Sequence, residues 1–315
     1  MSNLQDRLDE YLTVRRSLGY ELRAPARCLR KFVALADREG ADYITTELAL
    51  RWATLPTDAQ PATWAARLGM VRRFAAWCKA SDPRTEVPPK GLLPHRYRRT
   101  QPHIYGDAEI ERVVSAARLL PSAKGLRAHS YATVFGLLSV TGMRVSEALA
   151  LDRRDVDLGE GVLAVRRTKF GRSRFVPVHP TTCDALADYA ERRDRTVPVC
   201  FAEAFFVSER GTRITDCSTR YNFAKVSRDV GLRKPAGGNR HGHGPRLHDM
   251  RHRFAVRTLL DWYRAGLDVE REIPKLATYL GHVHLNDTYW YLEAVPELLE
   301  LATARLLDGQ EEGQA

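Results

Sequence analysis

The sequence predicts a mainly α-helical chain of two domains, the second holding a small antiparallel β-sheet. Three observations predict it. Apolar residues recur at helical spacing through residues 1–93. Five prolines interrupt the chain between residues 82 and 102. Two short β-branched runs, residues 162–165 and 174–178, flank the stretch Thr168 to Ser173. With 315 residues the chain is long enough for two cores.

In order, Leu4, Leu8, Tyr11 and Leu12 mark a first helix, and Leu29, Phe32, Val33 and Leu35 a second. Ile44 to Leu48 reads as a helix start capped by threonine. A further helix runs near Trp64 to Lys79, with Trp64, Leu68, Val71, Ala75 and Cys78 on one side and Arg67, Arg72, Arg73 and Lys79 along it. The proline-rich stretch reads as a linker, bounded at 94–104 between the two domains, with the basic residues Arg96, Arg98 and Arg99. The second domain is expected over 105–307, with an acidic tail at 308–315. Gly106 to Glu109 begins a helix; Ser130 to Met143, the longest uncharged stretch, is a buried helix ended by Gly142; and the next helix turns Val145, Ala148 and Leu149 inward. Residues 162–165 and 174–178 pair as strands. Residues 235–245 form a flexible insertion, in which His241 and His243 are too few for a metal site. Pro274 to Leu280 reads as a short helix with proline in its first turn, stopped by Gly281. Asp287 or Thr288 caps the helix carrying Tyr291, and 296–307 is a last amphipathic segment.

The net charge is +10, with a pI near 9.5, which favours a polyanionic partner. Five cysteines are widely spaced, without a Cys-x-x-Cys pair, so neither a zinc knuckle nor a disulfide framework is indicated and a reducing, cytoplasmic setting fits. The early acids of the N-terminus do not make a signal peptide. The longest uncharged stretch is too short to span a bilayer, which needs about 20 residues.

Chemistry is carried by six residues. Arg144 lies in Thr-Gly-Met-Arg-Val-Ser-Glu, Lys169 between the paired strands, and His248 and Arg251 in His-Asp-Met-Arg. His282 lies in Leu-Gly-His, and Tyr291 nine residues later. Guanidinium presents a planar fork to two phosphate oxygens. A tyrosine hydroxyl, with a pKa of about 10, needs a base or a positive pocket to become a nucleophile. Glu147, about one helical turn from Arg144, can hold it. Tyr289 and Tyr291 differ by about 200° around a helix, so only one can face a phosphate. Alone, each element has an ordinary reading: a solvated arginine, a helix stop, an aromatic core cluster. Together, in this order and spacing, they resemble the tyrosine recombinase (phage integrase) family. The resemblance is specific over residues 105–300 and holds in outline over 1–93; Phe170, Val283 and His284 depart from the family pattern.

The resemblance implies a two-domain clamp on double-stranded DNA and metal-independent, cofactor-free strand transfer through a 3′-phosphotyrosine. Tyr291 would be the nucleophile, Arg144 and Arg251 the phosphate clamp, His248 a base, Lys169 the general acid, and His282 a further phosphate neighbour. Arg67, Arg72, Arg73, Lys79, Arg96, Arg98, Arg99, Arg167, Arg172 and Arg174 would contact DNA. A homotetramer would assemble on two sites, with accessory DNA-bending or directionality proteins and no membrane. Two other readings share these residues: a type IB topoisomerase-like strand transferase, and a catalytically silent DNA-binding regulator.

Overall fold

Leu4, Leu8, Tyr11 and Leu12 are all buried on one side of the first helix, α1 (Leu4–Ser17), and the rest of the first unit is built in the same way. The computed structural model describes residues 4–93, 101–166, 173–198, 202–234 and 244–293, together with positions 297, 298 and 300. The chain divides into two units, residues 1–100 and 101–315. In the first, α2 (Arg23–Arg38) buries Leu29, Phe32 and Val33, and α3 (Thr46–Thr54) buries Leu48 and Trp52. Helix α4 (Pro61–Cys78) buries Leu68, Val71, Phe74 and Cys78. Thr45 caps α3 as expected, its Oγ1 accepting from the Leu48 amide at 3.1 Å.

The proline-rich segment departs from a free linker over its first half. The Glu86 amide donates to Ile44 O at 2.7 Å, and a Glu86 carboxylate oxygen accepts from the Thr46 amide at 2.8 Å. Asp82, Thr85 and Pro88 are buried. Residues 82–93 therefore belong to the first unit, because their prolines end helices without preventing side chains and carbonyls from packing back. Arg96, Arg98 and Arg99 lie outside the described residues.

The second unit opens with α5 (Asp107–Arg118), whose Gly106 amide donates to Glu109 Oε2 at 2.9 Å. Helix α6 (Leu126–Thr141) is buried over most of its length, as the uncharged run from Ser130 requires, and ends at Gly142. Then come α7 (Val145–Ala150) and a three-stranded antiparallel sheet in the order β1 (Val156–Asp157), β2 (Val162–Val165), β3 (Arg174–Pro177), with Leu163 opposite Val176 and Val165 opposite Arg174. Helices α8 (Pro180–Thr196), α9 (Asp216–Asp229), α10 (Leu247–Arg264), α11 (Val269–Leu280) and α12 (Asn286–Glu293) follow. One core surrounds α6; a second, formed by α10, α11 and α12, contains Val256, Leu259, Ile273, Leu280 and Tyr291. No described helix is long and apolar enough to cross a membrane.

Two expectations are corrected here. Helix α11 begins at Val269, capped by Asp268, so Pro274 is interior rather than in the first turn. Its missing N–H leaves one carbonyl unpaired within the helix, and the buried face of Val269, Ile273, Leu276 and Leu280 offsets that loss. Helix α12 begins at Asn286, so neither Asp287 nor Thr288 is its cap; Thr288 is fully buried inside the first turn. The start of the segment expected at 296–307 is seen only in part: Leu298 is buried in the apolar cluster that contains Tyr291, and Glu297 accepts from Arg264 at 2.7 Å.

Candidate active site

Arg251 projects from α10 into the interior with only 2% of its surface exposed. Its Nη1 donates to Gly142 O at 2.9 Å and its Nη2 to Leu280 O at 2.7 Å. Burial lowers its pKa to about 10, which still leaves it charged at neutral pH. Gly142 is needed here for two reasons. Its φ is +60°, and a Cβ would come within 2.6 Å of the Phe254 ring.

Arg144 stands at the start of α7, two residues after that glycine. Its Nη1 donates to Glu147 Oε1 at 2.7 Å and its Nη2 to Gly281 O at 3.1 Å. The Arg144 amide donates to Glu147 Oε2 at 3.0 Å. Burial would raise the Glu147 pKa, but hydrogen bonds and charge from Arg174 and Arg144 outweigh it and bring the carboxyl down to about 2. Arg174 thus departs from the DNA contact expected of it. Its Nη2 and Nη1 reach Glu147 at 2.8 and 3.2 Å, and its Nε donates to Tyr279 O at 2.6 Å. Three of its five N–H groups are used inside the protein.

Three histidines and Tyr291 complete the cluster. Gly281 ends α11 at φ +69° and the His282 amide returns to Ala277 O at 2.9 Å, which fixes the turn that presents His282. His282 Nδ1 lies 2.7 Å from Thr288 Oγ1, and its ring stacks on Tyr291 with centroids 6.1 Å apart at 22°. On Tyr291's other neighbour, His252, the ring centroid is 5.4 Å away; His252 also packs edge-on to His248 at 4.8 Å. Burial, and then neighbouring positive charge, depress His248, His252 and His282 to about 4, so all three are neutral at pH 7. The His248 residue as a whole is exposed to solvent, which screens much of its shift. Tyr291 is 2% exposed, whereas Tyr289 is 38% exposed.

The structure brings Arg144, Glu147, His248, Arg251, His282 and Tyr291 together from four separate chain segments. Sequence reasoning missed His252, Thr288 and the inward role of Arg174. The signal for His252 was present: it lies four residues after His248 and so on the same helix face. Lys169, Arg167 and Arg172 lie outside the described residues. In the first unit Arg73 and Lys79 are exposed. Arg67 instead donates to Trp52 O at 2.6 Å and lies over its ring, and Arg72 donates to Pro88 O and Pro89 O at 2.7 and 3.0 Å.

Comparison with known proteins gives the family. The family model described as the phage integrase family matches residues 107–297. A protein of Sinorhizobium fredii named integrase/recombinase y4rB is 47% identical over 313 residues, covering 97% of this chain and 98% of the relative. In fold, the chain resembles the Tn1549 transposon integrase in complex with transposon right-end DNA (TM-score 0.66, 14% identity, 98% and 99% of the two chains). It also resembles a lambda integrase tetramer bound to a Holliday junction (TM-score 0.57, 19% identity, 90% and 78%). The chain belongs to the phage integrase family of tyrosine recombinases, the enzymes that cleave and rejoin DNA strands through a phosphotyrosine bond.

Proposed function

We propose that Tyr291 is the nucleophile of this recombinase, and that Arg144 and Arg251 clamp the non-bridging oxygens of the scissile phosphate. The observation that supports this most is the convergence of two anchored guanidiniums and neutral histidines on one buried tyrosine. Tyr291 Oη attacks phosphorus, His248 takes its proton, and the bond to the 5′ oxygen breaks. Lys169 gives the departing oxygen its proton. His282, with Nδ1 held by Thr288, offers Nε2 to the phosphate. Charge gathers on the non-bridging oxygens as phosphorus becomes five-coordinate, where preplaced donors stabilise it most. A 5′ hydroxyl from a partner strand reverses the step, so bond energy is conserved and no nucleotide cofactor is consumed.

The working assembly is a tetramer on two double-stranded DNA sites, since exchange needs four nucleophiles and each chain offers one Tyr291. The lambda integrase tetramer on a Holliday junction supports this reading by its fold. The N-terminal helical domain, 1–93, grips the duplex through its exposed cations Arg73 and Lys79; Arg96, Arg98, Arg99, Arg167 and Arg172 add phosphate contacts. Accessory DNA-bending or directionality proteins complete the reaction at the DNA, in the cytoplasm.

A suicide DNA substrate, which loses its 5′ hydroxyl fragment after cleavage, tests the nucleophile. Wild type should accumulate covalent protein–DNA adduct. Tyr291→Phe should form none while binding DNA almost normally, because one hydroxyl adds little to an interface dominated by phosphate contacts. An adduct peptide mapped to Tyr289 would overturn the assignment.

A further inference from the structure

Glu147 is more heavily used than a simple partner of Arg144. Each of its oxygens accepts twice: Oε1 from Arg144 Nη1 and Arg174 Nη1, Oε2 from the Arg144 amide and Arg174 Nη2. That fills the roughly four lone-pair positions of a carboxylate. Arg174 is nearly buried, its side chain 11% exposed, while that of Arg144 is 29% exposed. Arg174 also ties β3 to the end of α11, donating to Tyr279 O at 2.6 Å, and a Cβ on Gly281 would come within 3.1 Å of its Nη1. Arg144 donates to Gly281 O from the other neighbouring segment. Three pieces of the chain therefore meet through one guanidinium: the Arg144 turn, the strand that begins at Arg174, and the Gly281 turn that presents His282.

The charges lead to the same assignment. Arg144 with Glu147 alone is a neutral pair, which attracts a phosphate weakly. With Arg174 on the same carboxylate the trio carries a net positive charge, and its most exposed cation is Arg144. Removing Arg174 would leave Glu147 two unmet acceptor sites, which the Arg144 guanidinium would turn to fill.

We propose that Arg174 is a positioning residue for strand cleavage: by sharing the Glu147 carboxylate it holds the Arg144 guanidinium in line for the scissile phosphate and leaves a surplus positive charge there. The proposal rests on the reading that Arg144 clamps the phosphate. Arg174 itself touches no substrate. It also fixes the strand entered from the Lys169 stretch, since Lys169 precedes it by five residues in sequence.

The experiment measures single-turnover cleavage of a suicide substrate at saturating DNA, and the salt dependence of DNA binding, for full-length Arg174→Gln, Arg174→Lys, Arg144→Ala and the double variant Arg144→Ala with Arg174→Gln. Arg174→Gln should slow cleavage by roughly 10- to 100-fold, the scale expected when a reacting group is misplaced by about an ångström. The slope of log affinity against log salt should fall by at most about one, because the Arg144 guanidinium turned onto Glu147 gives up its phosphate contact, and it should fall no further in the Arg144→Ala background. Arg174→Lys should recover part of the rate, keeping the charge but not the fork. In the Arg144→Ala background the Arg174→Gln penalty should shrink to about threefold or less, since there is no longer an Arg144 to aim. Three results would overturn the proposal: wild-type cleavage at saturation with a salt slope shallower by about one, which marks a phosphate contact; an undiminished penalty in the Arg144→Ala background; or wild-type cleavage by Arg174→Lys. A melting curve checks each variant's fold, and if Arg174→Gln does not fold, Arg174→Lys carries the test alone. Normal cleavage by Arg144→Ala would instead sink the clamp reading itself, so the two failures are distinct.

Discussion

In the first unit Arg72 closes the segment after α4 by donating to Pro88 O and Pro89 O, and Arg67 lies on Trp52. In the second, Arg144, Arg174 and Arg251 also donate to backbone carbonyls, but they converge, with one carboxylate among three guanidiniums. The first arrangement fastens a loop. The second keeps more positive charge in one place than it neutralises. Net basicity does not separate them, and neither does the count of arginines; what separates them is whether several cations share too few anions.

The sharpest way to break this contrast is at Arg251. Arg251→Ala should slow cleavage by about 10²-fold or more, as for loss of one oxyanion donor. Arg251→Lys should recover little, because an ammonium cannot bridge two carbonyls and still present a fork. Near-normal single-turnover cleavage by Arg251→Lys would reduce Arg251 to a structural tie, like Arg72.

A second test concerns the chain's end. Leu298 is buried in the same apolar cluster as Tyr291, so a deletion from residue 296 would open that cluster. Deleting only 301–315 should leave binding to a single half-site intact and lower cooperative occupancy of the full site, if the later residues join subunits in a closed ring. Gel-shift titration on half and full sites measures both, and unchanged cooperativity would remove these residues from the assembly.

Acid should separate the units next. Residues 1–94 contain no histidine, whereas His252 and His282 are held near pKa 4 in the second unit, below the ordinary value of 6.5. Between those values the unfolded chain binds more protons than the folded one. Stability therefore rises with pH across this window and is lost as pH falls from about 6.5 toward 4. Hydrogen exchange followed by region should show α10 to α12 loosening in that window while α1 to α4 hold. Equal loosening of both units would mean that these histidines do not govern acid sensitivity.

The smallest effects belong to the first unit's arginines. Arg72→Ala should cost about 1.5 kcal/mol of that unit's stability, as for a lost hydrogen bond from a charged group, with little change in the salt slope of DNA binding. Arg73→Ala should do the reverse, lowering the slope by about one. Denaturation and binding titrations on the same two variants would expose an inverted assignment.

Much of this was legible in the sequence where local context decides. Gly142 before Arg144, Gly281 before His282, and the helical offset of Tyr289 from Tyr291 are short-range signals, and the structure places these residues accordingly. Helices α8 and α9 and strand β1 went unread; β1 is only two residues long and leaves almost no pattern. Thr288 read as a cap because threonine before an aromatic run suits one, but its partner is the ring of His282. Arg174 read as a DNA contact because it follows a basic stretch. Its partners, Glu147 and Tyr279, lie 27 and 105 residues away, beyond any local pattern.

The two carbonyls that hold Arg251 share one property. Gly142 caps α6 and Leu280 is the last residue of α11, so each is the C-terminal end of a helix, and such an end carries about half a negative charge. Two ends together offset about one buried positive charge, without a carboxylate. A helix dipole adds no net charge and has no proton to gain. Acid that reaches Glu147 can loosen Arg144, but the partners of Arg251 do not titrate. One half of the proposed phosphate clamp is therefore held by groups that carry no proton of their own.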